Sequence, residues 1–184
     1  MARTESKLIE LGTEATDFSL IEPKNNKYVS LSSHKSDKAT LILFMCNHCP
    51  FVIHINDVLS KFAKEYVPKG LSIIAINSND VENYPEDSPE NMIRLSNKYD
   101  FNFPYLFDET QTIAKEYGAT CTPDFFLFDG DLKLRYRGQF DDSRPGNNEE
   151  VTGKDLKAAV DSLLNNENPN PIQKPSVGCG IKWK

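Results

Sequence analysis

The stretch Ala39-Thr-Leu-Ile-Leu-Phe-Met-Cys46-Asn-His-Cys49-Pro50 decides the fold, because its residue pattern changes in the middle. The apolar run from Thr40 to Met45 is typical of a central strand that is covered on both faces. From Pro50 to Tyr66 the apolar residues return at helical spacing, and proline suits the first turn of a helix. Leu71 to Ile76 is a second strand of the buried type. A strand, a helix and a strand in this order predict a right-handed crossover between parallel strands.

The flanking segments predict further elements of the same kind. We expect a hairpin from Phe18–Leu20 and Tyr28–Leu31, a second hairpin from Asp124–Phe128 and Leu132–Tyr136, and helices over about 88–99, 110–117 and 153–164. The alternation of strands and helices predicts an α/β domain over residues 16–164. Residues 1–15 are polar and predict a loose arm. Residues 165–184 are rich in Asn and Pro, and we expect an irregular tail that packs on the domain.

Charge and hydropathy narrow the classes of partner. The net charge is −6 at pH 7, with 21 Lys and Arg residues against 27 Asp and Glu residues, so the basic excess of a nucleic-acid-binding surface is missing. The longest apolar run, from Ala39 to Cys46, is far shorter than the ~20 residues that span a bilayer. The N-terminus lacks the apolar stretch of a secretory signal. We therefore expect a cytoplasmic protein, in a compartment that keeps thiols reduced.

The residues Cys46-Asn47-His48-Cys49 carry the predicted chemistry, since they lie where the buried strand meets the amphipathic helix. The start of a helix supplies unpaired N–H groups and about half a positive charge. Such a site lowers the pKa of a cysteine from its usual ~8.5, and protonated His48 would favour the thiolate further. We expect Cys46 to be the attacking thiolate and Cys49 to resolve the mixed disulfide. The alternative is a pair of buried or metal-binding cysteines.

Together with Thr122-Pro123, directly before the second predicted hairpin, this junction resembles the thioredoxin-like superfamily. The extra N-terminal hairpin and the insert after the second strand are similar to the redoxin branch, of the alkyl hydroperoxide reductase/thiol-specific antioxidant type. The resemblance covers about residues 16–164. It implies an α/β thioredoxin-like fold with a central mixed β-sheet flanked by helices, an N-terminal β-hairpin extension and an irregular C-terminal tail. It also implies reversible dithiol–disulfide exchange, in redox homeostasis or antioxidant defence.

The same resemblance implies roles for residues outside the dithiol. Pro123 would follow a cis peptide bond and face the two cysteines, leaving the backbone of Thr122 free to pair with an incoming substrate. Asn47, Gly138 and Gln139 would lie beside the dithiol and contact substrate. No organic cofactor is implied. The partners would be disulfides or thiols of proteins or small molecules, and electrons would come from an external thiol or a reductase.

The chain departs from thioredoxins at several positions. Thioredoxins carry Trp before the first cysteine and Gly-Pro between the two, whereas this chain has Met45 and Asn47-His48. A histidine directly before the second cysteine resembles disulfide isomerases and strong thiol oxidants, in which it stabilises the attacking thiolate. Residues 39–45 contain no carboxylate, so the base for Cys49 stays unassigned.

A thiol peroxidase is the second hypothesis. Peroxiredoxins that resemble this fold have the pattern P-x-x-x-T-x-x-C around the peroxide-reacting cysteine. Aligned on Cys46, the proline and threonine positions hold Ala39 and Leu43, so the hydroxyl that would bind peroxide is missing. Reduction of hydroperoxides therefore ranks below disulfide exchange.

A copper- or zinc-delivery protein is the third hypothesis, with Cys46, Cys49, His48 and His54 as the residue types that bind these metals. Helical spacing places His54 on the polar face of its helix, where we expect a solvated side chain. We therefore predict no metal site.

Cys121 and Cys179 leave two interpretations open. By strand alternation Cys121 shares a side with Pro123, close to the dithiol, and Cys179 lies between two glycines that allow close backbone approach. The tail would then fold back and pair Cys179 with Cys121 or Cys46, as accessory thiols. The alternative, which we favour, is one buried small hydrophobe and one anchor of the tail, because free cysteine is commonly buried.

Overall fold

The computed structural model describes residues 3–184, and most of its strands are those that the sequence predicts. The strands are β1 (Arg3–Glu5), β2 (Ser19–Glu22), β3 (Lys27–Ser30), β4 (Ala39–Phe44), β5 (Leu71–Asn77), β6 (Tyr105–Phe107), β7 (Cys121–Thr122), β8 (Asp124–Asp129), β9 (Leu134–Tyr136) and β10 (Val177–Gly180). The hairpins β2–β3 and β8–β9 are confirmed as antiparallel pairs. The strands β1, β6, β7 and β10 were not predicted.

The described helices are α1 (Leu31–His34), α2 (Pro50–Tyr66), α3 (Pro89–Lys98), α4 (Thr112–Glu116) and α5 (Lys154–Leu164). Four of them follow the predicted order, whereas α1 was not predicted and begins at Leu31, which the sequence analysis assigned to a strand. α2 has the predicted bounds, with Pro50 in its first turn and a left-handed Gly70 (φ 113°) after the short 3₁₀ turn that follows it. The side chain of Ser88 caps α3 by accepting the N–H of Asn91 at 3.4 Å. None of the helices within residues 3–184 has the length and apolar character needed to cross a membrane.

The main sheet of the described residues has seven strands in the order β3-β2-β6-β5-β4-β8-β9. β4 pairs in parallel with β5 and antiparallel with β8, and β5 pairs in parallel with β6. The predicted mixed sheet and its parallel crossover are therefore confirmed. Every residue of β4 is buried, as its continuous apolar run predicts.

Helices cover the sheet on both faces, because successive residues of β4 point to opposite sides. Leu41 and Leu43 belong to the core under α2 and α5. Ile42 and Phe44 belong to a second core on the other face, with residues of α1 and α4. The start of α2 is thus held against the carboxyl end of β4, where the candidate site lies.

A second sheet joins the two ends of the chain, in the order β1-β10-β7. Cys179 of β10 lies opposite Arg3 of β1 on one side and Thr122 of β7 on the other. The predictions of a loose arm over residues 1–15 and of an irregular tail are therefore wrong for β1 and β10. A short strand needs a neighbouring edge for its hydrogen bonds, and that edge exists only once the domain has folded.

Candidate active site

The two cysteines of the predicted dithiol lie in the short connection between β4 and α2. The N–H of Met45 still donates to the carbonyl of Ile76 at 2.9 Å, so the connection begins firmly attached to β5. Cys46 follows directly and is 1% exposed, and Cys49 is the fully buried N-cap residue of α2. Both thiols therefore lie at the predicted junction, under a cover of other residues.

Three sulfur atoms gather beside β7. The Sγ atom of Cys49 is 2.8 Å from the Sγ atom of Cys179 and 3.1 Å from the carbonyl oxygen of Thr122, which accepts a hydrogen bond from Cys49 when this thiol is protonated. The Sγ atom of Cys46 is 3.3 Å from the hydroxyl oxygen of the same threonine. The cluster thus contains the predicted pair and a third thiol from the tail.

The negative charge of this cluster belongs on Cys49. Its pKa is lowered to about 5, mainly by the Cys46 thiol, with further contributions from the Cys179 thiol and the amide N–H of Val52 against the opposing effect of burial. The pKa of Cys46 is raised well above its usual value, by its interaction with Cys49 and by burial. The prediction of a lowered pKa at Cys46 is therefore wrong. The helix begins at Pro50, so its free N–H groups and positive end lie beside Cys49.

The segment Thr122-Pro123 faces the dithiol, and its peptide bond is cis, as the resemblance implies. Its hydroxyl contacts Cys46 and its carbonyl contacts Cys49, so Thr122 touches both thiols. The expectation that its backbone is free for a substrate is wrong in this structure. Thr122 pairs instead with Cys179 of the chain's own β10.

A buried carboxylate that the sequence analysis missed holds the connection in place. Asp87 is fully buried and accepts the N–H of Asn47 at 2.7 Å and that of His48 at 3.3 Å. Its second oxygen lies 2.7 Å from Nδ1 of His48 and accepts the side-chain amide of Asn79 at 2.7 Å. The only sequence signal is its place just before the N-cap Ser88, where a carboxylate is usually solvated.

His48 and Asn47 are committed to neighbours in the same region. The imidazole of His48 is 17% exposed and stacks on Tyr84, with ring centroids 5.8 Å apart. The amide of Asn47 donates to the carbonyl of Glu86 at 3.0 Å and accepts the hydroxyl of Tyr105 at 3.1 Å. Both side chains therefore fix the connection, and contact of Asn47 with substrate stays a prediction.

Gln139 and Gly138 follow β9 and serve packing in this structure. The side-chain amide of Gln139 donates to Asp155 at 2.7 Å and its oxygen accepts the guanidinium of Arg144. A side chain at Gly138 would overlap the ring of Tyr136. Gln139 and Pro123 line the same small cavity. Contact of Gly138 and Gln139 with substrate stays a prediction.

Cys121, the other cysteine without an assigned role, lies outside the cluster of Cys46, Cys49 and Cys179. Cys121 is fully buried, its thiol points towards the carbonyl of Pro123 at 3.7 Å, and burial raises its pKa. The hypothesised pairs of Cys179 with Cys121 or Cys46 are not those found. The tail does fold back, but it places Cys179 against Cys49.

A second buried carboxylate lies next to the cis peptide bond. Asp124 begins β8, and burial raises its pKa to about 8 against the lowering effect of nearby backbone N–H groups. It is therefore neutral over much of the range in which Cys49 is ionised. The sequence analysis assigned it only to a strand.

One group of side chains has the composition of a metal site. Ligand atoms of Cys46, His48 and Asp87 all lie within 4.8 Å of one another. Both oxygens of Asp87 already accept hydrogen bonds, so a metal ion would have to displace them. His54 is outside this group. It is partly buried rather than solvated, and its Nε2 has no hydrogen-bond partner among residues 3–184.

Comparison with solved structures places the fold in the thioredoxin-like class. A secreted Mycobacterium tuberculosis disulfide oxidoreductase matches with a TM-score of 0.61 at 18% identity, over 79% of this chain and 96% of its own. At this identity the match concerns the fold alone. It confirms the predicted architecture of a central mixed sheet flanked by helices.

The family is shown by the chain's own sequence. The model of the AhpC/TSA family matches residues 11–137, so the chain belongs to this family, as its resemblance to redoxins implies. An uncharacterized conserved protein from Geobacillus kaustophilus is 53% identical (TM-score 0.98, 100% of this chain and 97% of that one). A hypothetical protein from Sinorhizobium meliloti 1021 is 48% identical (TM-score 0.96, 98% of each chain). No curated protein matches the sequence.

Proposed function

We propose that the protein is a thiol–disulfide oxidoreductase, with Cys46 and Cys49 as its reversible dithiol. The observation that carries the proposal is the placement of both thiols between β4 and α2, in contact with Thr122 of the cis Thr122-Pro123 segment. The pKa shifts, raised at Cys46 and lowered to about 5 at Cys49, support it. At neutral pH the pair then holds one proton and one negative charge, which is the state that a dithiol needs for exchange.

Because the negative charge lies on Cys49, this thiolate is the base that deprotonates Cys46 before Cys46 attacks the substrate. Transfer of the Cys46 proton to the Cys49 thiolate leaves Cys46 as the nucleophile. Cys46 attacks one sulfur of the substrate disulfide, which forms a mixed disulfide and releases the other sulfur as a thiolate that takes up a proton. Cys49 then loses its proton, attacks Cys46 and releases the reduced substrate. Two electrons have passed from the dithiol to the substrate.

Thr122 and His48 support these steps by position. The Thr122 hydroxyl lies 3.3 Å from the Cys46 sulfur and lowers its pKa, so it stabilises the thiolate that attacks. His48 is held by Asp87 on one side and by the ring of Tyr84 on the other. A ligand nitrogen of His48 lies within 4.8 Å of the Cys46 sulfur, so the fixed imidazole favours the thiolate of Cys46 whenever the imidazole is protonated.

The partners follow from this chemistry. We propose disulfides and thiols of proteins or small molecules as substrates, and an external thiol or reductase as the source of electrons. A cytoplasmic location and a role in redox homeostasis are part of the same proposal. It requires no organic cofactor, nucleic acid or membrane.

Reduction of hydroperoxides is the second candidate, and one contact favours it. The peroxiredoxin threonine is replaced by Leu43 in this sequence, but Thr122 places a hydroxyl 3.3 Å from the Cys46 sulfur. That hydroxyl could donate to a peroxide oxygen. Consumption of peroxide by the reduced protein, measured against the Thr122→Val variant, separates this candidate from disulfide exchange alone.

The test of the main proposal is a redox titration in a Cys179→Ser background, which removes the third thiol of the cluster. A reversible two-electron couple is expected in this background. It should disappear when Cys46→Ser or Cys49→Ser is added, and it should persist when Cys121→Ser is added as the matched control. A couple that survives Cys46→Ser here would refute the proposal. Stoichiometric zinc or copper in protein purified without chelator would favour metal binding instead.

A further inference from the structure

We propose that Cys179 is a third redox thiol of this site, which exchanges with Cys49 while its own strand occupies the edge where a substrate peptide would pair. The inference deepens the proposed function and rests on it. It assigns the tail of the chain as the first exchange partner of the dithiol.

The sulfur positions are the first argument. The Sγ atoms of Cys49 and Cys179 are 2.8 Å apart, while a disulfide bond measures ~2.05 Å. The remaining approach of less than about 1 Å is within reach of small side-chain rotations. Within residues 3–184 Cys121 has no sulfur neighbour at a comparable distance, since its thiol points towards the carbonyl of Pro123.

The attachment of the tail is the second argument, because it holds Cys179 in place from both ends. Before the strand, the Ser176 hydroxyl donates to the carbonyl of Pro123 at 2.6 Å, and the N–H of Ser6 donates to the carbonyl of Ser176 at 2.9 Å. After the strand, the N–H of Lys182 donates to the side chain of Asn79 at 2.9 Å.

The glycine before Cys179 is the third argument, since only glycine allows the observed approach of the two strands. A Cβ atom at Gly178 would overlap the carbonyl group of Thr122. The other flanking glycine is less constrained, because a Cβ atom at Gly180 would meet the side chain of Thr4 at 3.2 Å. The strand is therefore shaped to lie against the edge beside the cis peptide bond.

Occupation of that edge defines the role of the third thiol. An extended peptide that adds to a sheet edge needs free backbone groups there. β10 already pairs with β7 through Thr122 and Cys121, so an external peptide has to displace the tail. The thiol that Cys49 meets first is consequently the chain's own.

The exchange step starts from the Cys46–Cys49 disulfide. The thiolate of Cys179 attacks Cys49, the bond between Cys49 and Cys179 forms, and the bond between Cys46 and Cys49 breaks. Cys46 leaves as a thiolate and takes up the proton that Cys179 has lost, so no external oxidant or reductant is needed. Burial and the interaction with Cys49 both raise the pKa of Cys179 in the reduced protein, and the contribution of the Cys49 charge is absent once Cys49 is in a disulfide. The oxidised protein then presents a free Cys46.

Disulfide mapping of the oxidised protein tests the exchange. The full chain is oxidised with a small-molecule disulfide, quenched in acid, alkylated, digested and analysed by mass spectrometry. We expect both Cys46–Cys49 and Cys49–Cys179 in the wild type. Cys46→Ser should form Cys49–Cys179 as its intramolecular disulfide, and Cys179→Ser should form only Cys46–Cys49.

The outcomes separate this inference from the function on which it rests. If Cys179→Ser forms Cys46–Cys49 but Cys49–Cys179 appears in no protein, the third thiol is refuted and the oxidoreductase stands. If Cys179→Ser forms no disulfide at all, the proposed function is refuted. Cys121→Ser, the matched control, should show the wild-type pattern.

A second pair of variants tests delivery by the strand without removing a thiol. Gly178→Ala should displace β10 and lower the yield of Cys49–Cys179 at least tenfold while Cys46–Cys49 persists. Gly180→Ala, the matched control, should keep both disulfides. An unchanged ratio of the two disulfides in Gly178→Ala would contradict delivery by this strand. Circular dichroism verifies that both variants fold, and the mapping of Cys46→Ser stands independently of them.

Discussion

The pH dependence of stability reports the ionisation of Cys49, and Cys49→Ser is the change that tests it. In the folded protein the pKa of this thiol is lowered from 9.0 to about 5. Serine keeps the approximate size of the side chain but has no ionisation in this range. The variant therefore removes the stabilisation that the thiolate receives from the Cys46 and Cys179 thiols and from the N-terminus of α2.

The sign follows from the direction of the pKa shift. Below pH 5 the thiol is protonated in both the folded and the unfolded protein, so its ionisation contributes nothing. Between pH 5 and pH 9 unfolding takes up one proton, and the free energy of unfolding rises by ~1.4 kcal/mol per pH unit. The contribution is about 3 kcal/mol at pH 7 and is lost as the pH falls towards 5.

Asp124 produces the opposite slope. Burial raises its pKa from 3.8 to about 8, so unfolding releases a proton between these values. The free energy of unfolding then falls by ~1.4 kcal/mol per pH unit. The two slopes offset each other between pH 5 and pH 8 in the wild type. Cys49→Ser leaves the slope of Asp124 without its counterpart.

The assay is urea unfolding, which measures the free energy of unfolding of the reduced wild type and of Cys49→Ser at pH 5.5, 6.5 and 7.5. The stability difference between the two proteins should grow by ~1.4 kcal/mol per unit, or about 3 kcal/mol over this range. Cys121→Ser is the matched control. Burial raises the pKa of Cys121, which is therefore uncharged throughout, and this variant should run parallel to wild type. A difference between wild type and Cys49→Ser that is independent of pH would refute the assignment of the charge.

Three further substitutions probe the surroundings of Cys46. Thr122→Val removes the hydroxyl that lowers the pKa of Cys46. Alkylation of Cys46 by iodoacetamide at pH 7 should therefore slow about tenfold, which corresponds to the loss of one hydrogen bond. An unchanged alkylation rate would contradict the contact between Thr122 and Cys46. Asp87→Asn should lower the pKa of Cys46, since the charge of Asp87 raises it, and should cost ~2–3 kcal/mol in urea unfolding because buried partners lose their acceptor. A thiolate absorbance titration that places Cys46 at its wild-type pKa in Asp87→Asn would refute this electrostatic effect. His48→Ala should make the redox potential of the Cys46–Cys49 couple more negative by on the order of 30 mV in thiol buffers, equal to about 1.4 kcal/mol. An unchanged potential would show that the imidazole only positions its loop.

The parts of the fold that the sequence predicted are those with local signals. α2 has its predicted bounds because Pro50 begins it, an apolar stripe runs along one face, and Pro68 and Gly70 follow its end. β4 was predictable because burial on both faces demands a continuous apolar run. The position of Cys46 and Cys49 between these two elements was therefore fixed by neighbouring residues.

The electrostatics of the dithiol required the three-dimensional structure. The start of α2 at Pro50 was predicted correctly, but which thiol lies beside the N-terminal N–H groups depends on the path of the connection between β4 and α2. The sequence analysis placed the stabilising N–H groups beside Cys46, whereas the N-cap residue of α2 is Cys49. Asp87 was missed for a related reason. The groups it binds include Asn47 and His48, about forty positions earlier, and no local pattern indicates that a carboxylate in a polar loop is buried.

The placement of the tail depends both on a local sequence signal and on contacts that only the folded structure shows. The pattern Gly178-Cys179-Gly180 indicated a close backbone approach, but it could not say which edge the strand would approach. Alternation within a strand sends the side chain of Cys179 to the opposite face from its glycine neighbours. Because a Cβ atom at Gly178 would overlap the carbonyl of Thr122, the register against β7 is specified by that residue. The same register brings the sulfur of Cys179 to Cys49, so a shift of β10 by one residue would turn the sulfur to the other face.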